Sequence, residues 1–232
     1  MTGTDTGVGK TVVAAALARL LRMNGINVGV MKPVTSGCML EGETLVSGDA
    51  RLLSAAAGID CSDDVATCRL REPVNPADAA RIDGVRIDFG VIREAYLRLS
   101  AQYEYMIVEG AGGLMVPLAG GLLVADLARH LELPLLVVAR PDLGTINHTV
   151  LTCFAARQME IPVAGVIVNG MPASPGLAER GAPHQIGSLC GAPVLGIWPK
   201  VDSIDETEMV EELAEWLDGQ QETGIVLREL GV

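Results

Sequence analysis

The chain has 232 residues, of which 49% are apolar and only 3% aromatic, and its formal net charge at pH 7 is −12. A surface this acidic repels nucleic acids and anionic membranes, so neither is expected as a partner, and an anionic ligand needs a local cationic site. The five cysteines form no C-x-x-C pair, and the chain shows neither a cationic leader nor an apolar run of about 20 residues. These features predict a cytoplasmic protein with reduced thiols.

Strand patterns alternate with helix patterns along the chain. Segments 34–48 and 60–86 show neither pattern, so we expect a loop over the first and an irregular excursion over the second. Strands that alternate with helices at this spacing predict a mainly parallel sheet with helices on both faces, in a single α/β domain over 1–232. Helices are predicted over 11–25, 49–58, 89–103, 124–133, 145–160 and 206–219, and strands over 27–31, 105–113 (ending in a glycine turn), 134–140, 161–170 and 193–199.

A glycine-rich loop, GTDTGVGKT, occupies residues 3–11. Small residues let successive backbone N–H groups converge on phosphate oxygens, and the helix that opens at Lys10 adds its positive N-terminal dipole. Lys10 is expected to reach the β- and γ-phosphates of a nucleotide, and Thr11 to supply a hydroxyl to Mg²⁺. The strict pattern has glycine where Thr4 stands, so a glycine-rich helix start with an incidental lysine is the alternative. The nucleotide interpretation predicts a P-loop NTPase-like fold.

Charged side chains stand beside other predicted strands and helices, near the edge where parallel sheets bind ligands. Lys32 directly follows the strand 27–31 and is either a solvated surface group or a second cation aimed at phosphates. Glu109 follows the next strand, just before glycines that permit close approach of a ligand, and is either a solvated acid or a metal ligand. Asp49 begins a helix, which makes it either a cap or a further metal ligand.

Two asparagines have ordinary structural explanations. Asn169 precedes Gly170 at the end of a strand, where a turn residue tolerant of left-handed geometry is the alternative to a ligand contact. Asn147 and His148 stand at the start of a helix, so capping is the simplest interpretation. These residues alone leave the substrate open, because P-loops serve kinases, GTPases and ligases alike.

Taken together, the strand ends resemble one family closely, the dethiobiotin synthetases, which are ATP-dependent carboxylase-cyclases of biotin synthesis. The Thr-Asp-Thr inside the loop and the KPV-x-SG strand end are specific to this family, and the loop spacing around Thr4 is also the family's. The resembling segments run in family order across nearly the whole chain: GTDTGVGKT (3–11), KPVTSG (32–37), GDARLL (48–53), PVNPADAA (73–80), VEGAGGLMVPL (108–118), DLGTINHT (142–149), VIVNG (166–170) and GIWP (196–199).

The resemblance implies a substrate, 7,8-diaminopelargonic acid, with two neighbouring amines and a distant carboxylate. One amine takes up CO₂ as a carbamate, ATP phosphorylates the carbamate to a carbamic-phosphoric mixed anhydride, and the second amine closes the ring to a cyclic urea. ADP and phosphate leave, and Mg²⁺ accompanies ATP. No covalent nucleophile is needed, so positioning and charge stabilisation carry the catalysis. Family members are homodimers in which the neighbouring subunit holds the substrate carboxylate.

The resemblance also implies a role for each matching residue. Lys10, Lys32 and Thr6 match catalytic positions, and Lys32 would stabilise the carbamate and the transferred phosphoryl group. Ser36 resembles a substrate contact, and GTIN (144–147) resembles the helix start that holds the substrate carboxylate. The metal ligands match Thr11, Asp49 and Glu109; the ATP site matches Gly7, Val8, Gly9, Lys10, Thr11, Val12, Asp49, Glu109, Gly110, Ala111 and Gly112; its adenine side matches Asn169, Gly170, Pro199, Lys200, Val201 and Glu206; the carboxylate site matches Gly144, Thr145, Ile146 and Asn147.

The sequence departs from the family at its start. Family members carry several apolar residues before the Thr-Gly-Thr, and these form a central strand that anchors the loop; here only Met1 and Thr2 precede Gly3. We expect the native product to begin about five or six residues earlier, the usual length of a strand. A gap between neighbouring strands would leave ladder groups unpaired, and each buried unpaired group costs about 1–3 kcal/mol.

Two other classes of protein share a P-loop. Amide-forming synthetases related to cobyrinic acid diamide synthase carry a glutamine-hydrolysing domain with a cysteine nucleophile, a setting that none of the five cysteines has. Switch ATPases of the partitioning and septum-site type carry an extra lysine early in the loop, where Thr4 or Asp5 stands here, and often a basic amphipathic tail. The last predicted helix of this chain is acidic instead. Both classes therefore rank behind the dethiobiotin synthetases.

Overall fold

A computed structural model describes residues 1–220 and 223–231 of the chain. The helices are α1 (Lys10–Met23), α2 (Gly48–Ala57), α3 (Pro76–Asp83), α4 (Phe89–Ser100), α5 (Val124–His130), α6 (Thr145–Gln158), α7 (Leu177–Leu189), α8 (Glu206–Asp218) and α9 (Thr223–Glu229). The strands are β1 (Thr2–Gly3), β2 (Val28–Met31), β3 (Val34–Thr35), β4 (Met39–Glu41), β5 (Thr44–Val46), β6 (Cys68–Arg69), β7 (Tyr105–Val108), β8 (Pro117–Ala119), β9 (Leu122–Leu123), β10 (Leu135–Ala139), β11 (Val163–Met171) and β12 (Val194–Pro199). No helix within these described ranges is long and apolar enough to cross a bilayer.

Parallel strands form the centre of the molecule. One group has the order β1-β10-β11-β12, and in it Val138 lies opposite Ile167. Strands β2 and β7 form a second parallel pair, in which Val30 lies opposite Ile107. All five residues of β10 are buried, as expected for a parallel strand that is covered on both sides.

Alternate side chains of β10 enter two different hydrophobic clusters. Leu136 and Val138 belong to the large cluster that includes the buried faces of α1, α2 and α8. Val137 and Ala139 belong to a second cluster, together with Cys153 of α6 and buried residues of α7. Because successive side chains of a strand point to opposite faces, helices cover both faces of the sheet. The predicted α/β fold with a mainly parallel sheet is confirmed.

The first residues of the chain join the two groups of strands. The Met1 amine donates to the carbonyl of Val108 at the end of β7, and the N–H of Gly110 donates to the carbonyl of Met1 at 2.9 Å. On the other side, Thr2 and Gly3 pair with β10, opposite Val137 and Val138. Strand β1 (Thr2–Gly3), together with Met1, therefore lies between β7 and β10.

A cavity of about 150 Å³ lies beside Met1. Its walls include Leu17 and Leu21 of α1, the backbone of β7, and the start of β10. Burial lowers the pKa of the Met1 amine to about 6, against the partial attraction of Glu109. The expectation of further residues ahead of Met1 stays a prediction, and the cavity defines the space that such residues would enter.

The segments 34–48 and 60–86 are more regular than predicted. Strand β3 of the first segment pairs in parallel with β6 of the second, and β4 and β5 form an antiparallel hairpin. Within the second segment, α3 is capped by Asn75, whose side chain accepts from the N–H of Asp78. These elements are two to eight residues long, too short for a hydrophobic period to be recognised.

Helix α7 was not predicted from the sequence. Gly181 and Gly187 lower its helix propensity, and Pro183 removes a backbone donor from its interior. The helix forms because Ala182 and Ile186 are buried in the cluster beneath β10 and β11. Tertiary packing overrides local propensity here.

A short apolar strand added ahead of Met1 is expected to stabilise the protein. Five residues such as Val-Ile-Val-Ile-Val would run between β7 and β10, pair their backbone groups and replace the buried amine. We expect the free energy of unfolding to rise by about 2–4 kcal/mol, because each new backbone hydrogen bond contributes about 1 kcal/mol and the cavity is filled. Urea and thermal unfolding measure the difference.

A Gly-Ser extension of the same length is the control, since it adds chain without apolar surface. The pKa of the Met1 amine is about 6 in the folded chain against an ordinary value of 8.0. The folded 232-residue chain therefore loses stability as the pH falls from 8 to 6, by about 2–3 kcal/mol, because the unfolded chain binds the proton first. The advantage of the apolar extension over the 232-residue chain should grow at pH 6. Equal stability of both extended chains would contradict the strand interpretation.

Candidate active site

The glycine-rich loop connects β1 to α1 and is shaped by two glycines. Gly7 and Gly9 have φ values of 74° and 85°, in the left-handed region that favours glycine. A Cβ on Gly9 would lie 2.4 Å from the side-chain nitrogen of Asn169, and that nitrogen donates a 3.1 Å hydrogen bond to the carbonyl of Val8. Asn169, near the end of β11, therefore fixes the loop from a neighbouring strand.

Lys10 opens α1 and is only 7% exposed. Burial lowers its pKa, the neighbouring Lys32 adds to this effect, and the attraction of Glu109 offsets it only in part. An ammonium group that is short of negative charge gains strongly from a phosphate. The loop and Lys10 together favour an anion.

Lys32 lies at the centre of a buried ion cluster. Its Nζ is 2.6 Å from Oε1 of Glu109 and 2.9 Å from Oδ2 of Asp49. The hydroxyl of Thr11 donates to the same Oε1 of Glu109 at 3.0 Å. Lys32 is 4% exposed and Glu109 is fully buried, so the alternatives that treated these two residues as solvated surface groups were wrong.

The ion cluster keeps Lys32 charged. Burial by itself would lower the pKa of Lys32, but the carboxylates of Glu109 and Asp49 outweigh burial and raise the pKa above its ordinary value. A permanently charged ammonium in a buried setting is a good electrostatic partner for negative charge that develops during a reaction.

Asp49 is positioned by a cap that the sequence interpretation missed. The side chain of Ser47 accepts from the N–H of Ala50 and so caps α2, which leaves Asp49 in the first turn and makes the alternative role of Asp49 as the cap wrong. The Ser47 hydroxyl also donates to the hydroxyl of Thr35 at 3.0 Å. Thr35 belongs to the KPVTSG motif (32–37), and this motif could have indicated from the sequence that Thr35 lies at the site.

A cavity of about 380 Å³ brings together much of the predicted site. It lies between the glycine-rich loop, the segment after β2, the start of α2 and the turn after β7. Val34 and Thr35 line it although they were not predicted. The predicted residues that line it are Thr6, Gly7, Gly9, Lys10, Thr11, Val12, Lys32, Ser36, Asp49, Glu109, Ala111, Gly112 and Glu206.

Other predicted residues do not line this cavity. Gly110 lies at its edge, with its carbonyl 3.5 Å from Nζ of Lys32. Gly144, with φ of 97°, caps α6, so the interpretation of Asn147 and His148 as capping residues was wrong. The predicted site residues that do not line the cavity are Val8, Gly110, Gly144, Thr145, Ile146, Asn147, Asn169, Gly170, Pro199, Lys200 and Val201.

The acidic side of the cavity has the donors that a magnesium ion with phosphates requires. Among the described residues, no three His, Cys, Asp or Glu side chains gather into a cage for a metal. Mg²⁺ that arrives with a nucleotide needs only one or two carboxylates, since phosphates and waters fill the other positions. Oε2 of Glu109 is buried without a hydrogen-bond partner, while Oε1 of the same carboxylate accepts from the Thr11 hydroxyl and shares Lys32 with Asp49. These three residues fit the ion.

Gly9→Ala is expected to destabilise the protein more than Gly7→Ala. Both glycines have positive φ, so each alanine adds strain of about 1–2 kcal/mol. At Gly7 a Cβ meets nothing within 4 Å, whereas at Gly9 it meets Asn169. Gly9→Ala should therefore lower the free energy of unfolding by about 1–2 kcal/mol more than Gly7→Ala does, as measured by urea unfolding without nucleotide.

Asn169→Gly supplies the internal control. It removes the side chain that collides with the new Cβ, so the excess cost of Gly9→Ala should disappear in the double variant. Equal costs for Gly7→Ala and Gly9→Ala in the wild-type background would show that Asn169 does not constrain the loop.

Comparison with known proteins identifies close relatives of the chain. The AAA domain family matches residues 1–208. The ATP-dependent dethiobiotin synthetase BioD of Bacillus velezensis is 39% identical over 219 residues, which covers 94% of this chain and 93% of the relative. BioD of Bacillus subtilis is 36% identical over 233 residues, covering 100% and 98%. BioD of Methanococcus vannielii is 44% identical over 170 residues, covering 73% and 77%.

Solved structures of a ParA family ATPase and of a cell division protein complex share the fold. A ParA family ATPase of Chlorobium tepidum superposes with a TM-score of 0.55 at 17% identity, covering 99% of this chain and 96% of that one. The MinC:MinD cell division complex of Aquifex aeolicus gives a TM-score of 0.60 at 17% identity, covering 100% and 94%. Similarity at this identity shows a common fold and carries no function.

Proposed function

The chain belongs to the family of ATP-dependent dethiobiotin synthetases, and we propose that two buried lysines and two carboxylates of its cavity carry that family's reaction. The protein makes dethiobiotin in an ATP-dependent step of biotin synthesis. The observation that carries the proposal is the Lys32 ammonium, which is buried and lines the same cavity as Lys10 and the glycine-rich loop. Two cations in one cavity suit a reaction in which negative charge moves from ATP to a substrate.

The substrates in this proposal are 7,8-diaminopelargonate, CO₂ and ATP. One amine attacks CO₂ and loses a proton, which forms a carbamate. A carbamate oxygen attacks the γ-phosphorus of ATP and ADP leaves. The second amine then attacks the carbamoyl carbon and expels phosphate, the proton that this amine loses passes to the phosphate, and the cyclic urea is closed. All five cysteines are free thiols, and we place the reaction in the reducing cytoplasm.

Lys10 and Lys32 are proposed to neutralise negative charge on different parts of the substrates. Lys10 sits at the start of α1 behind the loop, where it would hold the β- and γ-phosphates. Lys32 reaches the cavity from the end of β2, where it would neutralise the carbamate and then the transferred phosphoryl group. Thr6 and Gly112 line the same cavity and are proposed to contact the phosphoryl group between the two lysines.

Thr11, Asp49 and Glu109 would hold Mg²⁺. When bound, the ion would supply positive charge that offsets the charge of the β- and γ-phosphates. The protein's own part is to present the Thr11 hydroxyl and the two carboxylates on fixed elements, α1, α2 and the turn after β7. The unpartnered Oε2 of Glu109 supports this assignment.

The two ends of the ligands are assigned to different parts of the chain. Ser36 lines the cavity beside Lys32 and is proposed to contact the diamine. Glu206 also lines it, and together with Asn169, Gly170 and Pro199–Val201 it is proposed to form the adenine side. In the ligand-free protein the Asn169 amide is bonded to Val8, so an adenine contact would use its remaining donor or its oxygen.

We further propose a homodimer formed through α6. That helix exposes Leu151 and Phe154, which are 56% and 52% exposed, and Met115 beside it is 53% exposed. Large apolar side chains clustered on one face indicate an interface. The segment 144–147 begins the same helix but does not line the cavity of its own chain. A second copy docked on α6 would bring this segment to the neighbouring cavity, where its N–H groups could hold the substrate carboxylate.

Lys32→Met is expected to abolish turnover while ATP still binds. The variant keeps the loop and Lys10 but loses the cation opposite the carbamate, so phosphate release should fall by about 10³-fold. Release is measured with Mg-ATP, 7,8-diaminopelargonate and bicarbonate, the cyclic urea is measured by mass spectrometry, and ATP binding is measured by calorimetry. A normal rate in this variant would remove Lys32 from the mechanism.

Arg93→Met is the matched control, because it removes one positive charge from an exposed position on α4 and should keep the wild-type rate. In the wild-type enzyme, release should require both diaminopelargonate and bicarbonate. Slow release that is indifferent to both would favour the switch ATPase activity of the proteins that share the fold.

Phe154→Glu is expected to separate the dimer. A charge on the apolar face of α6 cannot be buried without a partner, so sedimentation should change from a dimer to a monomer. ATP binding should persist, and the KM for diaminopelargonate should rise by about tenfold or more, because each good charge-assisted contact to the carboxylate is worth that much.

Val91→Glu places the same charge on an equally exposed apolar position of α4, where Val91 is 52% exposed. It should leave sedimentation and KM unchanged. A dimer that survives both substitutions would rule out the α6 interface, and a monomer with normal KM would rule out the contribution of 144–147 from the second copy.

A further inference from the structure

The ammonium of Lys32 occupies the place of a metal ion between two carboxylates. It lies 2.6 Å from Glu109, 2.9 Å from Asp49 and 3.5 Å from the carbonyl of Gly110. The oxygens converge on it from α2 and from the turn after β7. Two of these oxygens belong to the side chains that are proposed to hold Mg²⁺.

We propose that Lys32 is the resident cation of this carboxylate pair in the nucleotide-free enzyme, and that it excludes a free divalent cation until ATP arrives. The proposal rests on the assignment of Asp49 and Glu109 as metal ligands and adds a second, earlier role for the lysine. Lys32 first keeps free divalent cations out of the metal site, which we call its guarding role. After it separates from Asp49, it neutralises the carbamate of the substrate.

The charges around the site explain the exclusion. Without nucleotide, the pair of carboxylates faces Lys32, with Lys10 close enough that the two lysines repel each other. A divalent ion added to this group would be repelled by both ammonium groups, one of which lies in contact with both carboxylates. ATP brings about four negative charges, which supply new partners for both lysines and oxygens for the metal.

The two carboxylates differ in how firmly they hold the lysine. Glu109 is fully buried and also accepts from the Thr11 hydroxyl, whereas the Asp49 side chain is 40% exposed. Asp49 is therefore the partner that can exchange an ammonium for a hydrated metal ion with little loss of solvation. The second oxygen of Glu109 is free of hydrogen bonds, so it can accept the metal without displacing Thr11.

Binding of Mn²⁺ to the nucleotide-free protein tests the proposal. Mn²⁺ gives an electron paramagnetic resonance signal that falls when the ion is bound, and it uses the same oxygen ligands as Mg²⁺. Wild-type protein should bind Mn²⁺ weakly. Lys32→Met should bind it at least about tenfold more tightly, because the variant lacks the ammonium group that contacts both carboxylates and repels the positively charged ion. Adding ADP should tighten binding to the wild type.

Three further variants make each outcome decisive. Lys32→Arg keeps a cation and should bind Mn²⁺ as weakly as the wild type, while Asp49→Asn should cancel the gain made by Lys32→Met. Arg93→Met changes the net charge equally and should change nothing. If Lys32→Met is poorly folded by circular dichroism, Lys32→Gln replaces it.

The failure of this inference is distinguishable from the failure of the metal assignment. Unchanged Mn²⁺ affinity in Lys32→Met, with ADP-dependent binding that Asp49→Asn abolishes, would keep the metal ligands and overturn the guarding role. ADP-dependent binding that is insensitive to Asp49→Asn would overturn the metal assignment itself, and the guarding role with it.

Discussion

The rest of the site depends on the buried contact between Lys32 and Glu109. The pairing of β2 with β7 puts Met31 opposite Val108, and the N–H of Glu109 donates to the carbonyl of Met31 at 2.8 Å. The residue that follows β2 is Lys32, and the residue that follows β7 is Glu109. Each of these two charges offsets part of the cost of burying the other, and the register of the two strands brings them together. Asp49, Thr11 and the cavity are arranged around that pair.

Much of the fold and part of the site could be predicted from the sequence. Lys32 and Glu109 follow two buried strands, and parallel strands carry their carboxyl ends to one edge, so their proximity was predictable. The contact of Asp49 with Lys32 was not, since it depends on how α2 docks and on the Ser47 cap that sets the first turn of α2. Helix α7 could not be predicted from the sequence, because its residues have a poor helix propensity and its stability comes from packing in the cluster that includes β11.

The fold of this chain is shared with a ParA family ATPase and a cell division protein complex that differ from it in more than four fifths of aligned residues. The sheet and the loop satisfy general requirements of burial and phosphate geometry, which many sequences meet. Lys10 and Lys32 place two cations around the cavity, and Asp49, Glu109 and Glu206 place three anions there. Such a mixed set suits transfer of a phosphoryl group to an acidic acceptor.

The glycine-rich loop hangs from a strand of only two residues, Thr2 and Gly3, at the junction between β7 and β10. A phosphate-bearing ligand held by this loop would also contact the turn after β7, through Gly112 and Glu109. A nucleotide bound in this way would link the loop to the turn after β7, and the free energy of unfolding would rise with the logarithm of the nucleotide concentration. At low nucleotide concentration the amide hydrogens around this junction would lose that protection and would exchange with solvent faster.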